Sequence, residues 1–229
     1  MNKLSVPLTK TETATGWIYW AFQMFLLPLI LAFMNRIIPK PLSEAKINFL
    51  FFGINFIFVT VILRHFLITS LKNMLKRPFF VLRFAFFGLL LYFLLNVVVN
   101  VAVGYIKPDF INQNDATLKS FYQENYAILG IGTVLLVPTV EESFYRGLVF
   151  QGLHKKSRIL AYVVSVTVFS LIHIVGYIGV YDPLSFLLSF MQYLPAGIAL
   201  AWAYEKADNI VAPILIHTTV NQIAISAMR

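Results

Sequence analysis

The chain has 229 residues, of which 59% are hydrophobic and only 12% charged. A soluble domain is roughly a quarter charged, so this composition excludes an ordinary water-soluble globule and points to a membrane protein. The lack of cysteine removes disulfide frameworks, thiolate catalysis, Cys-ligated zinc and iron-sulfur clusters. The formal charge of +8 comes from Lys and Arg lying between apolar blocks, as charges flanking membrane spans do, which argues against a nucleic-acid partner.

Residues 1–16 are polar and Thr-rich, with neither an apolar core nor a small-residue cleavage site, and read as a cytosolic tail rather than a signal peptide. A helix needs about 20 apolar residues to cross a hydrocarbon core of about 30 Å. Seven blocks of that order follow, at Trp17–Met34, Ile47–Leu63, Phe79–Tyr105, Tyr126–Leu153, Ile159–Ile178, Pro183–Tyr204 and Ile210–Met228. Between the second and third, Phe66, Leu67, Leu71, Met74 and Leu75 recur at helical intervals against Lys72, Lys76 and Arg77, the pattern of a helix lying on the membrane surface. The expected fold is therefore all-α: a polytopic transmembrane bundle of about seven spans plus one interfacial amphipathic helix. Within one integrated membrane domain, residues 17–125 form the N-terminal helices and residues 126–229 the helices that carry the chemistry.

Seven spans put the termini on opposite faces. One face collects Lys3, Lys10, Arg64, Lys72, Lys76, Arg77, Arg146, Lys155, Lys156, Arg158 and Lys206; the other collects Arg36, Lys40, Lys46, Lys107, Lys119 and Arg229. Positive charge stays inside, so the N-terminus is expected in the cytoplasm. The fourth block decides this count, because another number of spans would invert everything after it.

An ionised side chain in the bilayer costs about 2.5 to 3.5 kcal/mol on insertion scales and needs a partner or a purpose. The second half concentrates such residues: Glu141, Glu142 and Arg146 on the fourth block, His173 on the fifth, His217 and Asn221 on the seventh. At ~1.5 Å per residue from the basic loops, Glu141, His173 and Asn221 fall ~18 to 22 Å deep, with His217 about a turn shallower. Glu142 and Arg146 stand at i, i+4 and can pair, whereas Glu141 points about 100° away and stays free. His217 and Asn221, also at i, i+4, face one cavity. Pro138, three residues before Glu141, lacks an N–H and is expected to bend or loosen the turn that carries the acids.

Residues 141–146 spell EExxxR, Phe169 to His173 spell FxxxH, and His217 to Asn221 spell HxxxN. Together, in this order on successive apolar helices, they resemble the CAAX protease and bacteriocin-processing family of intramembrane endopeptidases, which includes the type II CAAX prenyl proteases. The resemblance covers about Pro138 to Asn221. It implies that Glu141 and His173 activate a water while His217 and Asn221 stabilise the oxyanion, and it implies substrates such as prenylated C-termini and bacteriocin or signalling-peptide precursors.

Residue chemistry allows the same division, because peptide hydrolysis needs a base for water and donors aimed at the tetrahedral oxygen. Glu142 and Arg146 then serve as a supporting, mainly structural pair, with Phe169 packing beside the site. A zinc reading stays open, since Glu141, His173 and His217 form a two-His, one-carboxylate set with Glu142 as base. The missing HExxH helix and the neighbouring Arg146 favour the version without cofactor. Asn96 and Asn100 read as polar glue between helices, and His65 and His154 as solvated side chains at the membrane border.

The sequence thus describes a multi-pass, prokaryotic-type cell-membrane endopeptidase, partnered by the lipid bilayer and by a peptide or protein substrate entering from the cytoplasmic side. Its oligomeric state is not encoded legibly. The rival readings are a proton-coupled transporter, which also buries Glu, His and Arg, and a non-proteolytic scaffold or immunity protein.

Overall fold

The computed structural model describes residues 4–228; of the charges used above, Lys3 and Arg229 lie outside that range. The described residues form helices without strands. Seven apolar rods run α1 (Lys10–Ile37), α2 (Glu44–Ile62), α4 (Pro78–Ile106), α5 (Gln113–His154), α6 (Arg158–Ile172), α7 (Pro183–Ala207) and α8 (Val211–Ser226), and α3 (Arg64–Lys76) lies between the second and third. The chain is therefore a multi-pass α-helical membrane protein. Five rods are long enough to cross a bilayer by themselves, while α6 and α8 are shorter than the expected spans. The shortening of α6 matters, because the helix stops at Ile172 and leaves His173 at its end, inside the bundle.

The outer surface is apolar wherever lipid would lie. Phe25, Phe33, Ile57, Phe86, Leu94 and Val163 are all exposed, a distribution that only an apolar solvent makes favourable. Inside, small residues let the rods approach closely, as membrane helices require. A Cβ at Gly88 of α4 would stand 2.5 Å from the Ile216 side chain and 2.9 Å from Ala203, and one at Gly197 of α7 would stand 2.9 Å from Val166. Val81, Tyr145, Phe169, Leu200, Ala203 and Ile216 form the core there.

Hydrogen bonds sort the loops into two ends. At one end the Asp208 carboxylate accepts the Ser5 N–H at 2.7 Å and faces Arg77 at 3.4 Å, Asn209 donates to the Ser70 carbonyl, and Glu205 takes Arg158 at 2.6 and 2.8 Å. At the other end Leu42 pairs with Asn35, Ser43 with Glu124, and Lys107 with Asp182 at 3.0 Å. The ends match the two faces that the seven-span count assigns, except that Arg146, counted with the basic face, is fully buried inside the bundle. The fourth span begins where the sequence places it: α5 breaks at Asn125 (φ −160°, ψ 92°), whose side chain caps the Ile128 N–H at 3.1 Å.

The N-terminal segment differs from a free polar tail. Helix α1 starts at Lys10 under a reciprocal cap between Thr9 and Glu12, which satisfies two otherwise unpaired backbone donors. Glu12 is buried and also accepts the Phe66 N–H at 2.8 Å, tying α1 to α3. Val6 lies in the core, and Gln151 bonds both the Val6 carbonyl and the Leu8 N–H. His154 corrects the expectation of a solvated side chain: it is buried, 3.2 Å from Glu205 and stacked on Phe150. His65 is exposed, as the sequence suggests.

Candidate active site

The acids stand on an irregular stretch of α5. Wide π-type turns span Ile131–Leu136 and Ser143–Phe150, with only Val137–Glu142 in ordinary helix between them. Pro138 supplies the cause of the first, because a residue without an N–H cannot close the preceding turn. The loosening falls ahead of the acids and also behind them. One consequence is chemical: the Thr133 carbonyl, within the first wide turn, accepts the Asn221 side-chain amide of α8 at 2.8 Å.

Glu141 and Glu142 are adjacent in sequence and opposite in environment. Glu142 is fully buried. Its Oε1 accepts Arg146 NH1 at 3.2 Å and its Oε2 faces Arg146 Nε at 3.2 Å. The same oxygen, Oε1, takes His217 Nδ1 at 2.9 Å. Arg146 NH2 then donates to the Gly197 carbonyl at 3.1 Å, and its guanidinium lies 4.5 Å from the Phe169 ring centre. A buried ion pair is costly unless hydrogen bonds supplement it; here the imidazole and the α7 carbonyl supply such bonds, while Glu142 Oε2 and Arg146 Nε meet only as charges, without a hydrogen bond.

Glu141 turns away from that network, as the helical angle requires. Its Oε2 is buried without a hydrogen-bond partner and lies 3.8 Å from His173 Nε2 and 4.0 Å from His217 Nε2. His173 Nδ1 sits 2.7 Å from the Phe169 carbonyl, which can only accept, so Nδ1 carries the proton and the neutral ring offers its Nε2 lone pair to Glu141. Tyr193 of α7 stacks on the other side of the His173 ring at 4.4 Å and 22°. Three polar atoms thus converge at distances too long for direct bonds and suited to a small molecule between them.

The structure therefore brings Glu141, His173, His217 and Asn221 to the wall of one cavity of about 530 Å³, with Phe169 beside them and Glu142 and Arg146 behind. Sequence reasoning misses the bond from Glu142 to His217, the Tyr193 stack and the carbonyl that holds Asn221. Tyr193 carries no distinguishing signal, being one of 11 tyrosines. Asn96 bonds only Tyr92 and Asn100 of its own helix, whereas Asn100 acts as the expected glue: Gln192 of α7 donates to Asn100 at 2.9 Å and accepts Asn112 at 2.8 Å, so carboxamides link α4, α7 and the start of α5 along the cavity rim.

The lining of the cavity bears on the expected route of the substrate. Asn112, Asn114, Asp115, Thr117 and Tyr177 line the cavity, and all belong to the loops and helix start at the end of Lys107 and Asp182. No residue of the basic connections at 64–77, 155–158 or 206–210 does. The cavity thus extends from the site toward the end opposite the basic loops, where residues 173–182 follow the end of α6 and Tyr177 and Tyr181 bond the start of α5.

A tetrahedral zinc ion at about 2.0 to 2.2 Å from its N and O ligands would bring those ligands to within about 3.5 Å of one another. The 3.8 and 4.0 Å separations around Glu141 are wider. Among the described residues no set of three or more His, Asp or Glu side chains closes to metal-binding geometry.

A polytopic bundle with a buried carboxylate and two imidazoles on its inner wall is what the comparisons with known proteins bear on. The sequence profile of the Type II CAAX prenyl endopeptidase Rce1-like family matches residues 123–223, a stretch that contains all three motifs. The match bears out the resemblance read from them, and the matching family is one of proteases. The UPF0177 protein YxdF of Lactococcus lactis subsp. lactis (strain IL1403) is 26% identical over 168 residues, covering 70% of this chain and 82% of that protein. No solved structure matches the chain significantly.

Proposed function

We propose that this chain is an intramembrane endopeptidase that hydrolyses a peptide bond with a water activated by Glu141 and His173. The observation that carries the reading is the buried, partnerless Glu141 Oε2 facing two imidazole nitrogens in a cavity large enough for a peptide segment. A water there donates its protons to Glu141 Oε2 and His173 Nε2, leaving its oxygen lone pair for the carbonyl carbon. Glu141 takes one proton as the C–O bond forms and returns it to the leaving amine as the C–N bond breaks.

The oxyanion falls to His217 and Asn221. His217 Nδ1–H is held by Glu142, so protonation at Nε2 creates an imidazolium that the carboxylate stabilises and that donates into the cavity. Asn221 spends one amide hydrogen on the Thr133 carbonyl and keeps the other for the substrate. Glu142, Arg146 and Phe169 are supporting residues that fix His217. The transporter and scaffold readings have no support in the comparisons, whose matching family is one of endopeptidases.

In this account the enzyme needs no metal, the N-terminus lies in a prokaryotic cytoplasm, and residues 17–125 brace a catalytic half at 126–229 within one domain. Substrates of the classes implied by the resemblance, prenylated C-termini and bacteriocin or signalling-peptide precursors, fit a site at membrane depth. With the basic loops inside, the cavity extends toward the outer face. Comparing the peptides of cells carrying the wild-type protein with those of cells carrying Glu141→Gln tests the function: a precursor that accumulates uncut only in the variant supports it, and identical peptide pools overturn it.

A further inference from the structure

The cavity wall is rich in carboxamides and hydroxyls, yet none of its residues is a Lys or Arg. Its acids are Glu141, which the proposed chemistry uses, and Asp115, which that chemistry leaves idle. Asp115 lies in the first turn of α5, where the Asn112 side chain caps its N–H at 3.4 Å. A carboxylate there suits the helix start, but that role requires no placement on a cavity wall. Of the bases at this end Lys107 is bound by Asp182 and Ser185, while Arg36, Lys40, Lys46 and Lys119 do not line the cavity; Lys119 stands at i+4 from Asp115 on the same helix, yet no cation among the described residues pairs with Asp115. Around it Asn112 is locked to Gln192, and Gln192 to Asn100, so the rim is a fixed polar surface of neutral groups with one negative charge.

A fixed rim of amides offers donors and acceptors to the backbone of an extended peptide, and it does so without regard to side chain. The single unpaired carboxylate then supplies the discrimination. We propose that Asp115 is a specificity-determining residue that selects peptide segments with a Lys or Arg side chain close to the bond cut at Glu141, and disfavours acidic ones. The proposal rests on the peptide-hydrolase reading and names the substrate class of that site. Asp115 touches the substrate's charged side chain and takes no part in the bond changes, so its removal alters which peptides are chosen and leaves the cutting machinery in place.

The test uses the full-length protein in proteoliposomes, with fluorescent peptides identical except for Lys, Gln or Glu at one position, that position being moved along the series. Binding is read by anisotropy and cleavage by mass spectrometry, for the wild type, Asp115→Asn and Asp115→Lys. Wild-type protein should prefer Lys over Glu about tenfold at one position, Asp115→Asn should flatten the preference, and Asp115→Lys should reverse it. Cleavage without charge preference, or a preference that Asp115→Lys leaves unchanged, overturns the proposal while the hydrolase reading stands. An Asp115-dependent binding preference with no cleavage supports the selection and sinks the hydrolase reading. Absence of both binding and cleavage overturns both.

Discussion

The two ends of the bundle handle polar groups in opposite ways. At the end with the basic loops, polar side chains close on one another: Glu205 takes Arg158, His154 and the Tyr162 hydroxyl, Gln151 takes Tyr204 and the N-terminal backbone, and Asp208 takes Ser5 and Arg77. The Ser70 hydroxyl is unpaired there, but the carboxylates Glu12, Glu205 and Asp208 all have partners; at the end with the cavity the carboxylate oxygen Glu141 Oε2 and the Tyr193 hydroxyl are buried without partners, and Asp115 pairs with no cation among the described residues. A buried polar atom without a partner costs free energy that a merely structural arrangement would avoid. The difference teaches that the closed end holds the helices together, while the open end keeps bonding capacity for something that arrives.

Glu142 lies between the regimes, closed by Arg146 and His217 but one residue from the open site, and replacing it should have the largest effect. Glu142→Gln leaves the Arg146 charge buried without its counter-ion, which typically costs about 3 to 5 kcal/mol. The expected outcome is a steep fall in melting temperature together with lost cleavage. A variant as stable as the wild type would break the assignment of Glu142 to the closed framework.

Asn221→Ala should come next. Loss of a donor aimed at the developing oxyanion costs about 10² to 10³ in turnover, and substrate binding should stay nearly intact because the charge exists only in the transition state. Steady-state kinetics separate the two, and a defect confined to KM would return Asn221 to the role of helix glue through Thr133.

The closed end offers the converse. Glu205→Gln should lower stability by about 1 kcal/mol, since its partner Arg158 is half-exposed and solvent screens the pair. Turnover per folded molecule should not change; a change would mean that the ends are coupled.

The smallest effect belongs to Asp182, an exposed cap of α7. The Ser185 hydroxyl, the Ser185 N–H and Lys107 hold its carboxyl well below the usual carboxylate range. A depressed folded pKa gives stability that is present above the unfolded value near about 4 and fades as pH falls toward the folded one. Asp182→Asn should therefore melt slightly below the wild type at pH 7, and the gap should narrow once the pH drops below about 4.

Much of this was legible in the sequence, for identifiable reasons. Apolar runs separated by Lys and Arg mark the spans because the bilayer demands it, and a polar residue such as Glu141 or His173 inside a run stands out against that demand. Even the start of the fourth span at Tyr126 is visible, since Asn125 interrupts the pattern. The bond from Glu142 to His217 is different, because it depends on how α8 is rotated against α5. The place of His173 at a helix end follows from α6 stopping at Ile172, a boundary that hydropathy running on through Ile178 conceals. His154 looks like a border residue until Glu205, about fifty positions away, is folded against it.

The central claim is that the open end performs peptide hydrolysis through the partnerless carboxylate of Glu141. The most direct measurement is turnover of a peptide that the wild type cleaves, by purified Glu141→Gln protein in proteoliposomes, alongside its melting temperature. The account predicts a wild-type melting temperature with cleavage abolished, because the substitution keeps the volume and removes the base. Cleavage at the wild-type rate by the folded variant would contradict it.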